Sequence, residues 1–195
     1  MNKYKFIIII FILYLIVFIN IAYLYEYNDN YKYERDIIND GYKVIDDDDK
    51  NEILKLLPPN YIYIDYKYEI KGCTLSTFHR DVTSSQYIFK TKYHVYTHIT
   101  YNNYGPLLSI CPKSHITTPY LASSPVIIYG KPKTTILFNC DCIHAGALNN
   151  LGDKRHAIQY KICHIDDLPL LKHLIGINKT TFQLCDKIDP NYNFF

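Results

Sequence analysis

The sequence has no tryptophan, a single methionine and almost no surplus charge. Its 195 residues include 21 tyrosines, and this bias, with frequent Ile, Lys, Asn and Asp, is typical of an AT-rich coding sequence rather than of one activity. The formal net charge is +2, with both signs mixed along the chain. We therefore predict no nucleic-acid partner, because such binding needs a concentrated basic surface.

An apolar run lies at the start of the chain. Residues 6–25 carry no charged side chain, and about 20 such residues are enough for a helix to cross ~30 Å of hydrocarbon. We predict a signal anchor with a transmembrane helix in residues 1–25, a tether in residues 26–33 and one folded domain in residues 34–195. A cleaved signal peptide is the alternative, but it would have a shorter core and a small-x-small cleavage site, and only Ala22 is small here.

The charges around the apolar run predict its orientation. Lys3 and Lys5 precede it, whereas Glu26 and Asp29 follow it, which favours a cytosolic N-terminus. We therefore expect a single-pass membrane protein, held in the membrane by residues 6–25, with its folded domain in a lumen or outside the cell.

The rest of the chain has the period of short strands. Residues 61–70 alternate apolar or aromatic side chains with Asp65, Lys67 and Glu69, as expected of a half-buried strand. Similar patterns cover residues 87–101, 126–129, 134–139 and 156–163, and helical patterns cover residues 49–57 and 167–175. Many short strands with helices at the margins predict a sandwich or barrel of antiparallel sheets.

Two residues that can bind a metal, His79 and Asp81, are followed much later by His144 and Arg155. Two imidazoles and one carboxylate make a facial triad, which holds ferrous iron and leaves its other coordination positions open. An arginine on the next strand can bind a carboxylate through two parallel hydrogen bonds. By itself H-x-D is a weak signal, because a chain with 8 histidines and 19 acidic residues contains such a triplet close to chance.

Four segments around these residues resemble the phytanoyl-CoA dioxygenase family of Fe(II)- and 2-oxoglutarate-dependent oxygenases. They are NDGYKVID at 39–46, TFHRD at 77–81, YGPLLSICPKSH at 104–115, and TILFN at 135–139 with HAGALN at 144–149 and then Arg155. The resemblance covers about residues 34–163, nearly all of the predicted domain.

The resemblance implies a fold and a site. The fold is a double-stranded β-helix, the jelly-roll or cupin-like core, with flanking helices. His79, Asp81 and His144 would be the catalytic ligands of Fe(II), Arg155 would bind 2-oxoglutarate, and O2 would be the second co-substrate. A Tyr, Thr or Ser hydroxyl on a neighbouring strand would assist the arginine, and ascorbate could serve to keep the iron reduced.

The resemblance also predicts the reaction. An intact Asp81 favours hydroxylation of a C–H bond over halogenation, because halogenating members of the family have a small residue at that position. The substrate is open between a small lipid or metabolite and a side chain of a protein or glycan. The alternative function is a catalytically inactive jelly roll that serves as a structural or binding protein on a membrane.

The sequence departs from the family pattern in two places. Lys113 stands where the family has glycine, in a turn expected to use positive φ at a cost of ~1 kcal/mol or more, which could rearrange the turn. Phe78 replaces the usual tryptophan before the first ligand.

Cys140-x-Cys142-x-His144 suggests zinc as a competing possibility, but structural zinc sites need a second ligand pair. Six cysteines allow up to three disulfides in an oxidising compartment.

Overall fold

The computed structural model describes residues 5, 7–13, 27–28, 35–73, 78–116, 125–147 and 154–183. The described strands are β1 (Tyr27–Asn28), β2 (Tyr42–Ile45), β3 (Tyr61–Tyr63), β4 (Tyr66–Cys73), β5 (Tyr96–Tyr101), β6 (Gly105–Ile110), β7 (Val126–Gly130), β8 (Thr134–Asn139), β9 (His144–Gly146), β10 (Lys154–His164) and β11 (Ile177–Gln183). The described helices include α1 (Lys50–Leu54), α2 (Gln86–Phe89) and a 3-10 helix (Ile165–Leu174).

The strands form two sheets. The smaller sheet has the order β1-β7-β6-β9, and the larger has the order β11-β4-β10-β5-β8-β2, with β3 also paired to β10. The pairs β1 with β7 and β11 with β4 are parallel, and the other pairs are antiparallel. The prediction of a mainly β fold is confirmed, and the two sheets are consistent with a jelly-roll or cupin-like core.

The main hydrophobic core combines side chains of both sheets. Its buried members include Tyr42, Ile99, Tyr101, Leu108, Ile110, Val126, Ile128, Ile136, Phe138 and Ala157. Successive residues of a strand point to opposite faces of the sheet, and β8 illustrates this. Ile136 and Phe138 face the main core, whereas Leu137 packs on the other face with Ile53 of α1.

The strand β10 runs along the centre of the larger sheet. It pairs with β3 and β4 on one side and with β5 on the other. Arg155, Gln159 and Lys161 line a cavity inside the fold. His156 points the other way, and its Nε2 lies 2.7 Å from Glu69 Oε1. The alternation that the sequence predicts for this strand is therefore the one observed.

The predicted strands differ from the structure at two places. Residues 61–70 form two strands, β3 and β4, and residues 87–89 belong to α2 rather than to a strand. The N-terminus of α2 is stabilised from outside the segment, because the Asp141 carboxylate accepts hydrogen bonds from Gln86 N–H and the Ser85 hydroxyl. A carboxylate at this end of a helix is favourable, and the local sequence does not reveal it.

The predicted membrane anchor is not supported. Residues 7–13 are helical. Within the described part of the chain, no helix has the length and apolar character needed to span a membrane. The prediction of a single-pass membrane protein held by residues 6–25, with a lumenal or extracellular domain, is therefore wrong. Residues 14–25 lie outside the described residues.

Three of the segments that carry the resemblance meet at Gly41. Gly41 has a φ of +84°, and a Cβ there would overlap the His115 ring and Cys142 Sγ, so no larger residue fits. Lys113 N–H donates to the Asp40 carbonyl at 2.8 Å. Lys113 itself has a φ of +63°. The turn therefore keeps the backbone conformation expected of a glycine, with a lysine in its place.

Candidate metal centre

His79, Asp81 and His144 come together at the wall of the cavity. Each offers one ligand atom, and these atoms lie within 4.8 Å of one another. Asp81 Oδ1 is 3.9 Å from His79 Nε2 and 3.7 Å from His144 Nε2. Two imidazole nitrogens and one carboxylate oxygen in such a group can hold a divalent ion.

Backbone hydrogen bonds hold the two histidines opposite each other. His79 N–H donates to the His144 carbonyl, and His144 N–H donates to the His79 carbonyl, both at 2.9 Å. Asp81 N–H donates to the Cys140 carbonyl, also at 2.9 Å. The segment that carries His79 and Asp81 is therefore attached directly to the segment that carries His144.

The ring of His144 is oriented by its own neighbours. Its Nδ1 lies 3.0 Å from the Cys142 carbonyl oxygen. That oxygen can only accept, so Nδ1 carries the proton and Nε2 keeps the lone pair that a metal needs. Burial lowers the pKa of His144, although Asp81 opposes this effect, and the neutral imidazole is the form that binds metals. His79 differs, because 53% of its side chain is exposed.

Asp81 turns its two oxygens to different partners. Oδ2 accepts hydrogen bonds from Lys161 Nζ at 2.6 Å and from the Thr97 hydroxyl at 2.7 Å, whereas Oδ1 faces the histidines. Burial raises the pKa of Asp81, but the charge of Lys161, the neighbouring His144 and the hydrogen bonds to Oδ2 bring it below its usual value. Burial lowers the pKa of Lys161, and Asp81 raises it by more. Asp81 and Lys161 therefore form a charged pair.

A cavity of about 440 Å³ extends from the three ligand-type residues, a volume typical of small-molecule sites. Its walls come from both sheets and include Arg155 and Tyr101. The Tyr101 hydroxyl is buried and has no hydrogen-bond partner among the described residues. Burial raises the pKa of Tyr101 to about 12, although Arg155 lowers it. The phenol is therefore protonated and can donate to a group that enters the cavity.

The strand register explains why Tyr101 and Arg155 share this wall. Tyr101 of β5 is paired with Ala157 of β10, and Arg155 lies two residues before Ala157 on the same face. Diagonal neighbours of this kind are about 7–8 Å apart, within reach of long side chains. A guanidinium and a hydroxyl donor on one wall form a suitable site for a carboxylate.

The structure brings all four predicted site residues to this cavity: His79, Asp81, His144 and Arg155. Sequence reasoning missed Lys161, although the alternation through Arg155, Ala157 and Gln159 leads directly to it. For the second contact to the carboxylate of 2-oxoglutarate, the sequence indicated only a hydroxyl from a Tyr, Thr or Ser. Tyr101 could be chosen only after β5 was known to be the neighbour of β10.

The cysteine pattern near His144 does not form a zinc site. Cys140 Sγ lies 3.3 Å from the Thr97 hydroxyl, whereas Cys142 Sγ lies 3.4 Å from the Gly41 carbonyl oxygen. The two thiols therefore contact different parts of the fold, and neither belongs to the group around Asp81. Cys111, Cys140, Cys142 and Cys163 are buried free thiols. The disulfides that the sequence allows are thus not formed among these four.

No family model and no curated protein matches the chain, so the resemblance to phytanoyl-CoA dioxygenases stays a prediction. Three solved structures are similar in fold. The non-heme alpha ketoglutarate dependent epimerase SnoN from nogalamycin biosynthesis has a TM-score of 0.45 and 8% identity, over 76% of this chain and 83% of its own. The non-heme monooxygenase ThoJ, solved as a nickel complex, has a TM-score of 0.42 and 12% identity, over 58% and 49%.

The third is the non-heme alpha ketoglutarate dependent carbocyclase SnoK, also from nogalamycin biosynthesis. It has a TM-score of 0.37 and 12% identity, over 61% of this chain and 56% of its own. The chain thus spans about half the length of ThoJ and SnoK. These values are too low to carry an argument about activity, so the function proposed for this chain rests on its own site.

Proposed function

We propose that this chain is an Fe(II)- and 2-oxoglutarate-dependent dioxygenase of the phytanoyl-CoA dioxygenase type. The observation that carries the proposal is the convergence of His79, Asp81 and His144 at one cavity that also contains Arg155. Asp81 and His144 are far apart in the sequence, yet Oδ1 of the first is 3.7 Å from Nε2 of the second.

The donor set fits ferrous iron. His79 and His144 would each supply Nε2, and Asp81 would supply Oδ1. Three protein ligands leave the other coordination positions for 2-oxoglutarate and dioxygen. The hydrogen bond from His144 Nδ1 to the Cys142 carbonyl supports this role, because such contacts orient ligating histidines in metal sites. When bound, iron would supply the activation of dioxygen, coupled to the oxidative decarboxylation of 2-oxoglutarate.

Arg155 and Tyr101 fit the far carboxylate of 2-oxoglutarate. The guanidinium can donate two parallel hydrogen bonds to one carboxylate. The Tyr101 hydroxyl can donate a third, and a buried hydroxyl is stabilised by gaining a partner. Both groups are held by neighbouring strands of the larger sheet, so they are in place before the co-substrate binds.

The reaction we propose is hydroxylation of a C–H bond. One O2 would be consumed with one 2-oxoglutarate, which gives the hydroxylated product, succinate and carbon dioxide. The carboxylate of Asp81 supports hydroxylation over halogenation, since it fills the position that a halide would need. Ile99, Leu108 and Phe138 line the cavity and would help to exclude water. The exposed side of His79 marks the direction from which the substrate, a small molecule or a side chain, would approach.

The alternative is a catalytically inactive jelly roll that serves as a structural or binding protein. The ion pair of Asp81 with Lys161 is the observation that favours it. The carboxylate is already neutralised by the chain itself, so the buried site does not need a metal for its charge balance.

The decisive experiment measures 2-oxoglutarate turnover. The full-length chain is loaded with Fe(II) in the presence of ascorbate, and succinate is quantified with and without a panel of lipid, metabolite and peptide substrates. We expect succinate above background even without substrate, and none from the His144→Ala variant. A folded, iron-loaded wild-type chain that forms no succinate with any substrate would favour the inactive alternative.

A further inference from the structure

Lys161 is a buried lysine in contact with a residue of the candidate metal centre. Its side chain is 1% exposed. The ammonium has three donors, and three acceptors lie around it. These are Asp81 Oδ2 at 2.6 Å, the Thr97 hydroxyl at 2.8 Å and Cys140 Sγ at 3.5 Å. The group is therefore held in a single position inside the fold.

Packing alone does not account for this lysine. Removing two charges from water costs several kcal/mol per ion, and well-packed apolar residues often replace a buried ion pair with no loss of stability. The position on β10 is opposite Thr97 of β5 and faces the cavity. A Leu or Met would fit the inward pattern of the strand, so the choice of lysine points to a property of the site.

Two consequences follow from the contact with Asp81. First, Oδ2 is occupied by Lys161 and Thr97, and only Oδ1 is left facing His79 and His144. Second, the ammonium cancels the charge of the carboxylate.

We propose that Lys161 is a positioning residue that makes Asp81 a one-oxygen metal ligand and, through its charge, favours divalent over trivalent iron. This inference rests on the proposed iron site. Repulsion between the ammonium and the metal grows with the charge of the metal. A ferric ion is therefore destabilised more than a ferrous ion. A one-oxygen ligand also leaves more coordination positions open than a carboxylate that binds through both oxygens.

The test compares iron-loaded wild-type chain with Lys161→Met, and its main readout is the reduction potential of the iron without 2-oxoglutarate. We expect the preference for ferrous over ferric iron to fall at least tenfold in the variant, which corresponds to about 59 mV for one electron. Lys161→Gln removes the charge but keeps a donor near Asp81, and it should show the same shift. If Lys161→Met does not fold, Lys161→Gln provides the same measurement of the reduction potential.

Two further variants separate charge from position. Thr97→Val removes a contact to Asp81 Oδ2 without changing the charge. The absorption spectrum of the Co(II)-loaded chain should therefore change, while the reduction potential of bound iron should shift by less than in Lys161→Met. Lys131→Met removes an exposed lysine that does not line the cavity. Neither the Co(II) absorption spectrum nor the reduction potential of bound iron should change in this variant.

The outcomes distinguish this inference from the proposed function. A wild-type chain that binds neither Fe(II) nor Co(II) would overturn the iron site, and the role of Lys161 with it. The role of Lys161 alone would be overturned if the wild-type chain binds iron but the preference for ferrous over ferric iron changes by less than twofold in both Lys161 variants.

Discussion

The two ends of the inner face of β10 each carry a basic residue, and the two residues differ in the groups that surround their charge. At one end, Lys161 contacts the carboxylate of Asp81, supplied by the chain itself. At the other end, Arg155 lines the open cavity beside the Tyr101 hydroxyl, for which the described residues supply no partner. The comparison teaches that the Lys161 ammonium is balanced by a carboxylate of the chain itself. The Arg155 guanidinium instead lines a cavity large enough for a small molecule, where we propose that it binds 2-oxoglutarate.

Asp81→Asn should have the largest effect, because it replaces the carboxylate of a proposed metal ligand by a neutral amide and removes the negative partner of Lys161. We expect metal affinity to fall more than about 100-fold, beyond the loss typical of outer-shell changes. We also expect the metal-free chain to lose about 3–5 kcal/mol of unfolding free energy, since a buried charge is left uncompensated. Co(II) calorimetry and urea unfolding measure the two effects.

The matched control is Asp166→Asn, which changes an acid whose side chain is 62% exposed. It should alter the unfolding free energy by less than about 0.5 kcal/mol. If metal-free Asp81→Asn were as stable as wild type, the idea that the Lys161 end belongs to the fold's own charge balance would fail.

Arg155→Lys tests the other end of the strand. The lysine keeps the charge but loses the paired donors of the guanidinium. We expect the apparent 2-oxoglutarate affinity to fall about tenfold or more, equivalent to ~1.5–3 kcal/mol, with metal affinity almost unchanged. Titration of 2-oxoglutarate into the Co(II)-loaded chain measures both. An unaltered 2-oxoglutarate affinity would remove Arg155 from the co-substrate site.

Tyr101→Phe should have a smaller effect on the same ligand. Loss of one hydroxyl donor is expected to weaken 2-oxoglutarate binding about fivefold, or ~1 kcal/mol. The unfolding free energy of the ligand-free chain should stay equal or rise, because the change removes a buried hydroxyl that lacks a protein partner. A variant that is clearly less stable, with normal 2-oxoglutarate binding, would show that the hydroxyl serves the fold instead.

His156→Gln should have the smallest effect, because it lies on the outer face of β10. His156 contacts Glu69 rather than the cavity. We expect no change in metal or 2-oxoglutarate affinity and little change in thermal unfolding. A large loss of either affinity would mean that the two faces of the strand are not as separate as their contacts indicate.

Much of this site could be predicted from the sequence, because its signals are local. The spacing of His79 and Asp81 and the alternation along β10 each depend on neighbours in the chain. The contacts that complete the site are not local. Lys161 meets Asp81 from 80 residues away, and only the pairing of β5 with β10 identifies Tyr101.

The same distinction explains the errors in the fold. Residues 87–89 have a strand-like pattern, but they form a helix whose N-terminal Gln86 N–H donates to the distant carboxylate of Asp141. The apolar run at residues 6–25 satisfies a composition rule for membrane spans. Composition does not require a long helix, and the described part of the chain has no helix with the length and apolar character of a membrane span.

The paired backbone hydrogen bonds between His79 and His144 have a consequence for how the chain can vary. Because the peptide groups themselves fix the register, a shift by one residue would turn each imidazole to the opposite face. Substitutions near the ligands change the chemistry of the cavity but leave these backbone hydrogen bonds in place. A single residue inserted or deleted between His79 and Asp81 would instead break the backbone pairing. The length of this segment is therefore constrained more tightly than its composition.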